Sequence, residues 1–69
     1  MIECEFDIYC PCIAKNNIIN EIKKYVYHYS GTVNYVEEGF VRKHLHFFIK
    51  VEDKYEEEIR YMYKQIQNF

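Results

Sequence analysis

The sequence predicts an α+β fold in the order β-α-β-β-α, formed as a single domain by residues 1–69. Two periodicities predict this fold. Apolar residues alternate with polar ones in residues 2–10 and again in residues 40–51, as they do in strands that bury one face. In residues 18–29 and 55–69, apolar residues recur at helical spacing. With only 2 Gly and 1 Pro, the chain has the composition of a folded protein.

The first strand is predicted from about Ile2 to Cys10, and Pro11 ends it. Its core side carries Ile2, Cys4, Phe6, Ile8 and Cys10, and its other side carries Glu3, Glu5, Asp7 and Tyr9. The first helix is predicted to begin near residues 14–17, and we expect Gly31 to form its C-terminal cap. Its apolar positions are Ile18, Ile19, Ile22, Val26 and Tyr29. These positions give the helix one apolar side.

A hairpin is predicted next, because the short strand Thr32–Glu37 turns through Glu38-Gly39 into a strand over residues 40–51. One face of that strand carries Phe40, Arg42, His44, His46, Phe48 and Lys50, and the other carries Val41, Leu45, Phe47, Ile49 and Val51. The second face is therefore the core face. A closing helix is predicted after Asp53, with an acidic first turn that suits the helix dipole. Its apolar stripe is Tyr55, Ile59, Met62, Ile66 and Phe69.

A right-handed connection between the first two strands, with the third strand between them, gives the sheet order 1-3-2. This is a truncated ferredoxin-like βαββα fold: a three-stranded antiparallel sheet with both helices on one face. The third strand is then central, and its histidine face is an open sheet surface. The first strand becomes a free edge, so we expect either a homodimer through that strand or strand addition by another protein. A single bulge in residues 40–51 would exchange the two faces.

Composition narrows the classes of partner. The chain has a net charge of -2 and a pI of about 5.9, so it lacks the excess of basic residues that is typical of general nucleic-acid binders. Any binding of nucleic acid would therefore be limited to a local part of the surface. No apolar run reaches the length of a membrane span and no signal-peptide pattern is visible, so we expect a cytoplasmic protein, or one in the host cytoplasm if it is viral, with no membrane partner.

Three cysteines lie in the first segment, at Cys4, Cys10 and Cys12. Their odd number argues against a closed disulfide framework and fits a reducing compartment. We expect a structural or incidental role for them. A soft-metal site formed by Cys10 and Cys12 with a histidine stays open as the alternative.

The candidate binding residues are those of the open face, namely Phe40, Arg42, His44, His46, Phe48 and Lys50. Aromatic side chains beside basic ones can stack on bases, as in RNA-recognition modules. The acidic residues of the first strand would repel phosphates there, and an aromatic centre with a rim of both charge signs is usual in protein interfaces. In the simplest interpretation, the two histidines are ordinary polar residues of a solvated face.

The segment YVEEGFVRKHLHFFIK, residues 35–50, resembles the second motif of the HUH endonucleases, the superfamily of rolling-circle replication initiators and related transposases. The matching core is His44-Leu45-His46. The resemblance implies a divalent ion, Mn²⁺ or Mg²⁺, bound by His44 and His46 with Glu5 or Asp7 as the third ligand. It also implies a tyrosine that attacks a DNA phosphate.

Two tyrosines are candidates for that nucleophile. Tyr61, followed by Lys64 one helical turn later, resembles the family's third motif. Its helical phase places it roughly opposite the core stripe, so we expect it to face solvent on the side of the sheet away from the histidines. Tyr9 is predicted on the histidine face and matches no family motif.

The abundance of Lys, Ile, Tyr and Asn suggests an AT-rich coding source. In size and composition the chain resembles small phage, viral and plasmid inhibitors of host defence, anti-CRISPR proteins among them. We therefore expect a mobile-element binding protein without a cofactor, which engages a partner protein in nucleic-acid metabolism or host defence through its open face or free edge. The alternative is an HUH-like metal-dependent single-stranded DNA nickase, or a degenerate relative that binds nucleic acid. The sequence favours a non-catalytic role and leaves enzyme activity open.

Overall fold

The computed structural model describes residues 1–66 and contains the predicted elements in the predicted order. Each helix is preceded by one short 3-10 turn, Cys12–Ala14 or Asp53–Tyr55. Phe69, predicted at the end of the second apolar stripe, lies outside the described residues. The strands are β1 (Ile2–Pro11), β2 (Thr32–Glu38) and β3 (Arg42–Val51), and the helices are α1 (Lys15–His28) and α2 (Glu56–Ile66).

The sheet is antiparallel with the order β1-β3-β2, which confirms the predicted topology and makes β3 the central strand. The register sets His46 opposite Asp7 of β1 and opposite Val36 of β2. Burial alternates along β1 and β3 without a bulge that would exchange the faces. The histidines therefore lie on the predicted face, opposite the core.

One hydrophobic core joins the inner face of the sheet to both helices. Leu45, Phe47 and Ile49 of β3 are fully buried in it. From the helices, Ile18, Ile19, Ile22, Val26, Ile59 and Met62 belong to the same cluster. Both helices thus cover one face of the sheet, and within residues 1–66 no helix covers the other face, which we call the open face. No helix within residues 1–66 is long and apolar enough to cross a membrane.

The connection between β2 and β3 differs from the prediction. β3 begins at Arg42, and Gly39 adopts a φ of +95° that L side chains rarely take. A Cβ at this glycine would also collide with the carbonyl oxygen of Arg42. Phe40 and Val41 consequently lie in the loop, 91% and 83% exposed. The assignment of Phe40 to the open face and of Val41 to the core face was wrong, because the chain is still turning at these residues.

The end of α1 also differs in detail. The left-handed residue is Ser30, with a φ of 58°, and not the predicted cap Gly31. The amide of Ser30 donates to the carbonyl of Tyr27, and that of Gly31 donates to the carbonyl of Val26, which is the Schellman pattern. Gly31 serves close packing instead, because a Cβ there would lie 2.5 Å from Cγ1 of Val51 and 2.6 Å from the carbonyl oxygen of Lys50.

Candidate functional site

Four polar side chains meet at the centre of the open face, and we call them the histidine cluster: Glu5, Asp7, His44 and His46. The carboxylate oxygen Oδ1 of Asp7 lies 2.7 Å from Nε2 of His44 and 2.6 Å from Nδ1 of His46. The second ring nitrogen of His46, Nε2, lies 3.0 Å from Oε1 of Glu5. The antiparallel register produces this contact set, since it pairs Asp7 with His46 and Glu5 with the next residue of the same face, Phe48.

The charge state of the cluster follows from these contacts. Carboxylate oxygens only accept hydrogen bonds, so His46 satisfies both carboxylates only when both of its ring nitrogens carry protons. The hydrogen bond to Glu5, and then the one to Asp7, raises the pKa of His46 above its ordinary value. Hydrogen bonds from His46, and then from His44, lower the pKa of Asp7. The two carboxylates therefore favour the imidazolium form of His46.

Two aromatic rings, one from β1 and one from β3, flank the histidine cluster on the open face. Tyr9 stacks on His44 with ring centroids 4.5 Å apart and planes 9° apart. At the other side, His46 meets Phe48 nearly edge to face, with centroids 4.6 Å apart. The open face thus presents a continuous row of four rings. Of the two candidate tyrosines, only Tyr9 is brought to the histidines.

Asp7, His44 and His46 also satisfy the basic geometry of a metal site. Each offers one ligand atom, and these atoms all lie within 4.8 Å of one another. Imidazole nitrogens suit transition ions, so two of them favour Mn²⁺ or a similar ion over Mg²⁺. With metal–ligand bonds of about 2.0–2.2 Å, neighbouring donors sit roughly 3 Å apart, so the hydrogen-bonded atoms must separate by a few tenths of an ångström. The ion would also have to displace the protons of the imidazoles.

The structure distinguishes the two candidate carboxylates. Asp7 contacts both histidines through one oxygen, whereas Glu5 contacts only His46. A third carboxylate, that of Glu38, lies 3.9 Å from Nδ1 of His44 and is 80% exposed. Asp7 is therefore the natural third ligand of the histidine pair, and Glu5 and Glu38 flank it.

The remaining predicted binding residues are spread around this centre. Arg42 pairs with Pro11 at the start of β3 and is exposed, and Lys50 pairs with Glu3 near the other end of the strand. Phe40 lies outside the open face, in the loop. Tyr61 is 62% exposed on α2, as its helical phase predicted, and the structure does not bring it to the histidines. Of the cysteines, Cys4 and Cys10 are buried and Cys12 is exposed, and burial raises the pKa of both buried thiols.

A second exposed feature was missed by the sequence analysis. Ile13, Phe40 and Val41 are 92%, 91% and 83% exposed, and we call them the apolar tip. The amide of Cys12 donates to the carbonyl of Val41 at 2.8 Å, which joins the two loops that carry these side chains. Gly39 was the available signal in the sequence. A turn that contains a glycine at this position extends over the next residues, so Phe40 and Val41 do not yet belong to the strand.

Tyr63 is a further residue that the sequence analysis did not identify. Its hydroxyl donates to the carbonyl oxygen of Asp7 at 2.9 Å, and its ring stacks on Phe6 with centroids 4.3 Å apart. Tyr63 lies four positions after the buried Ile59, so helical spacing was the available signal. Through this contact α2 holds the backbone of the residue whose side chain organises the histidine cluster.

Comparisons with known proteins give no relative for this chain. No family model matches it, and neither does any curated protein or solved structure.

Proposed function

We propose that the protein is a small binding module that engages a partner protein through the apolar tip and the neighbouring ring of Tyr9. One observation carries the proposal: three large apolar side chains on two joined loops are at least 83% exposed. Contiguous apolar groups on a protein surface commonly mark an interaction site. Tyr9, 61% exposed, extends the apolar tip toward the open face.

The apolar tip has the composition of an interface centre. Full burial of each of these side chains would stabilise a complex by about 1.5–3 kcal/mol, before the costs of association. An aromatic side chain such as Phe40 is a typical anchor that fills a pocket of the partner. The partner surface that fits this end of the molecule is therefore an apolar pocket.

Charges around the apolar tip favour a protein over a nucleic acid. Glu37 and Glu38 precede it in the chain, and Arg42 and Lys43 follow it. Lys43 and Lys15 both lie within 4.0 Å of the carboxylate of Glu37, so part of the positive charge is already paired. A phosphate backbone requires uncompensated cations, whereas a rim with both charge signs is usual in protein interfaces.

The class of partner is a proposal from resemblance. The size and composition that resemble small inhibitors from mobile elements make nucleic-acid-processing and defence proteins the first partners to test. Such an inhibitor needs a stable complex and no catalysis.

Site-specific photocrosslinking tests this function. A benzoylphenylalanine placed at Phe40 should crosslink to one protein of the natural host, and the same probe at Tyr27, 57% exposed on α1, is the matched control. The captured protein is then purified and its affinity measured for the wild type, Phe40→Ser and Tyr27→Ser. We expect binding to be lost only with Phe40→Ser. Equal affinity of the two variants, or crosslinking only to a second copy of this chain, would contradict the proposal.

A second function is favoured by a different observation, the meeting of Asp7, His44 and His46. This set could hold a divalent ion for an HUH-like reaction on single-stranded DNA, and the bound ion would polarise a DNA phosphate. Tyr9 would then be the nucleophile that this chain supplies, since it lies against His44. The acidic neighbours Glu5 and Glu38 weaken phosphate binding, so this function ranks second.

Calorimetric titration with Mn²⁺ separates the two functions. Metal binding should disappear in His44→Ala and His46→Ala and persist in the matched control Lys50→Ala, which changes the same face outside the cluster. Labelled single-stranded DNA should then bind only with Mn²⁺, and Tyr9→Phe should abolish its cleavage. Failure to bind Mn²⁺ would exclude this function and leave the protein-binding proposal intact.

A further inference from the structure

The two edges of the sheet differ in how they are protected against pairing with another strand. The edge of β1 carries Glu3, Glu5 and Asp7 at alternating positions. The hydroxyl of Tyr63 donates a hydrogen bond to the carbonyl of Asp7 in the middle of that strand, so this carbonyl already has a partner. Charged residues and a covering side chain are the usual protection of an edge strand.

Within residues 1–66, the first five residues of β2 have no charged side chain, and no side chain donates a hydrogen bond to their backbone. Thr32–Val36 reads TVNYV, with no charge, no proline and four residues of high strand propensity. Val36 points to the open face and is 56% exposed. Uncharged strands of this kind pair readily when their edge is free.

We propose that two copies of this chain pair antiparallel along their β2 strands and form one six-stranded sheet. Charge complementarity favours a second copy as the occupant. In antiparallel pairings centred on Asn34, Tyr35 or Val36, neither Glu37 nor Glu38 faces another acidic residue. Pairings of β1 with itself centred on Glu5, Phe6 or Asp7 all set carboxylate against carboxylate, which destabilises a strand pair.

The lysines beside β2 are compatible with this pairing. Lys15 donates to the carboxylate of Glu37 at 3.2 Å. Lys23 of α1 lies over the ring of Tyr35, 5.6 Å from its centroid. Both cations are therefore engaged with β2 of their own chain.

The pairing would change the open face. A two-fold axis normal to the sheet leaves both open faces on the same side, with the strand order β1-β3-β2-β2-β3-β1. The two copies of β3 are then three strand spacings apart, which is roughly 14 Å. The two histidine clusters would lie on one continuous surface.

Cysteine crosslinking with mass measurement tests the proposal. The background is Cys12→Ser, which removes the exposed native thiol. Light scattering should give about 17 kDa, twice the chain mass of 8.6 kDa. On mild oxidation, chains with Asn34→Cys, chains with Val36→Cys or an equal mixture of the two should become linked, depending on the register, whereas chains with the matched β1 variant Glu3→Cys should not.

A charge variant gives an independent readout. Val36→Lys should weaken the dimer by about tenfold or more, since an edge lysine opposes strand pairing, while Glu3→Lys should not. Circular dichroism must show that both variants keep the fold. A mass of one chain at millimolar concentration, or linkage only through Glu3→Cys, would overturn the proposal.

Discussion

The two faces of β3 differ in burial and in the chemistry of their side chains. On the inner face Leu45, Phe47 and Ile49 are fully buried against the helices. On the open face His44 and His46 keep 31% and 26% of their side chains exposed and contact Asp7 and Glu5 of the neighbouring strand. The comparison teaches that the fold depends on one set of alternate residues and the candidate chemistry on the other. Substitutions at adjacent positions should therefore have very different consequences.

The largest difference is expected between Phe47→Ala and His46→Ala. A domain of this size has a free energy of unfolding of about 3–10 kcal/mol. Removing a buried phenylalanine costs about 3–5 kcal/mol, so Phe47→Ala should lose a large part of that free energy or all of it. His46→Ala should remain folded, because its neighbours on the open face stay accessible to water. Urea denaturation followed by circular dichroism measures both.

Phe47→Leu keeps this prediction testable if the alanine variant cannot be purified. It should lower the denaturation midpoint and still show a cooperative transition. Equal losses for His46→Ala and Phe47→Leu would mean that the open face also holds the fold together.

The next largest effect on stability is expected in the connection between α1 and β2. Gly31→Ala places a methyl group against Val51 and the carbonyl of Lys50, and overpacking of this kind costs about 1–3 kcal/mol. The adjacent Ser30→Gly should be neutral or slightly stabilising, because Ser30 already has a left-handed φ. Thermal unfolding of the two variants gives the comparison. A stabilised Gly31→Ala would show that α1 can move away from the sheet.

The strands, the element ends and the histidine cluster differ in how well the sequence predicts them. Alternation predicted both faces of β3, because burial of one face imposes a period of two on the residues, and the right-handed connection between the first two strands predicted the strand order. Element ends were less accessible, since the conformations of Ser30 and Gly39 depend on the packing and turn geometry around them. Sequence reasoning also brought the histidines to one face with Asp7 and Glu5. It could not choose between the two carboxylates, because that choice depends on which side chain reaches both rings.

A smaller effect is expected at the link between α2 and the edge of β1. Tyr63→Phe removes the hydroxyl that donates to the carbonyl of Asp7 and keeps the ring on Phe6. One hydrogen bond of this kind contributes about 0.5–1.5 kcal/mol. Hydrogen exchange of the β1 amides should rise more than that of the β2 amides. Tyr61→Phe is the matched control, since Tyr61 is largely exposed on the same helix, and equal exchange in both variants would contradict the role of Tyr63.

The smallest effect is the pH dependence of the open face. The pKa of His46 is raised above its ordinary value of 6.5. The contribution of His46 to the free energy of unfolding is therefore complete below pH 6.5, and it is lost as the pH rises through the pKa of His46 in the folded protein. The pKa of Asp7 is lowered from 3.8. The contribution of Asp7 to the free energy of unfolding is therefore present above pH 3.8, and it is lost as the pH falls through the pKa of Asp7 in the folded protein. Together they contribute most between these two pH values. Wild type should lose stability relative to His46→Gln as the pH rises from about 6 to 9.

Nuclear magnetic resonance titration of His46 tests the cause directly. The hydrogen bond to Glu5, and then the one to Asp7, raises the pKa of His46, so Glu5→Gln and Asp7→Asn should each lower that pKa. A pKa that stays unchanged in either variant would show that the substituted carboxylate does not stabilise the protonated form of His46. That outcome matters for the metal site, because a divalent ion must displace the His46 proton while Asp7 stays ionised. The proton that the ion would displace is the one on Nδ1, because Nδ1 lies 2.6 Å from Oδ1 of Asp7, whereas Glu5 contacts Nε2. Glu5 can therefore keep its hydrogen bond to Nε2 and orient the ring of His46 while Nδ1 binds the ion.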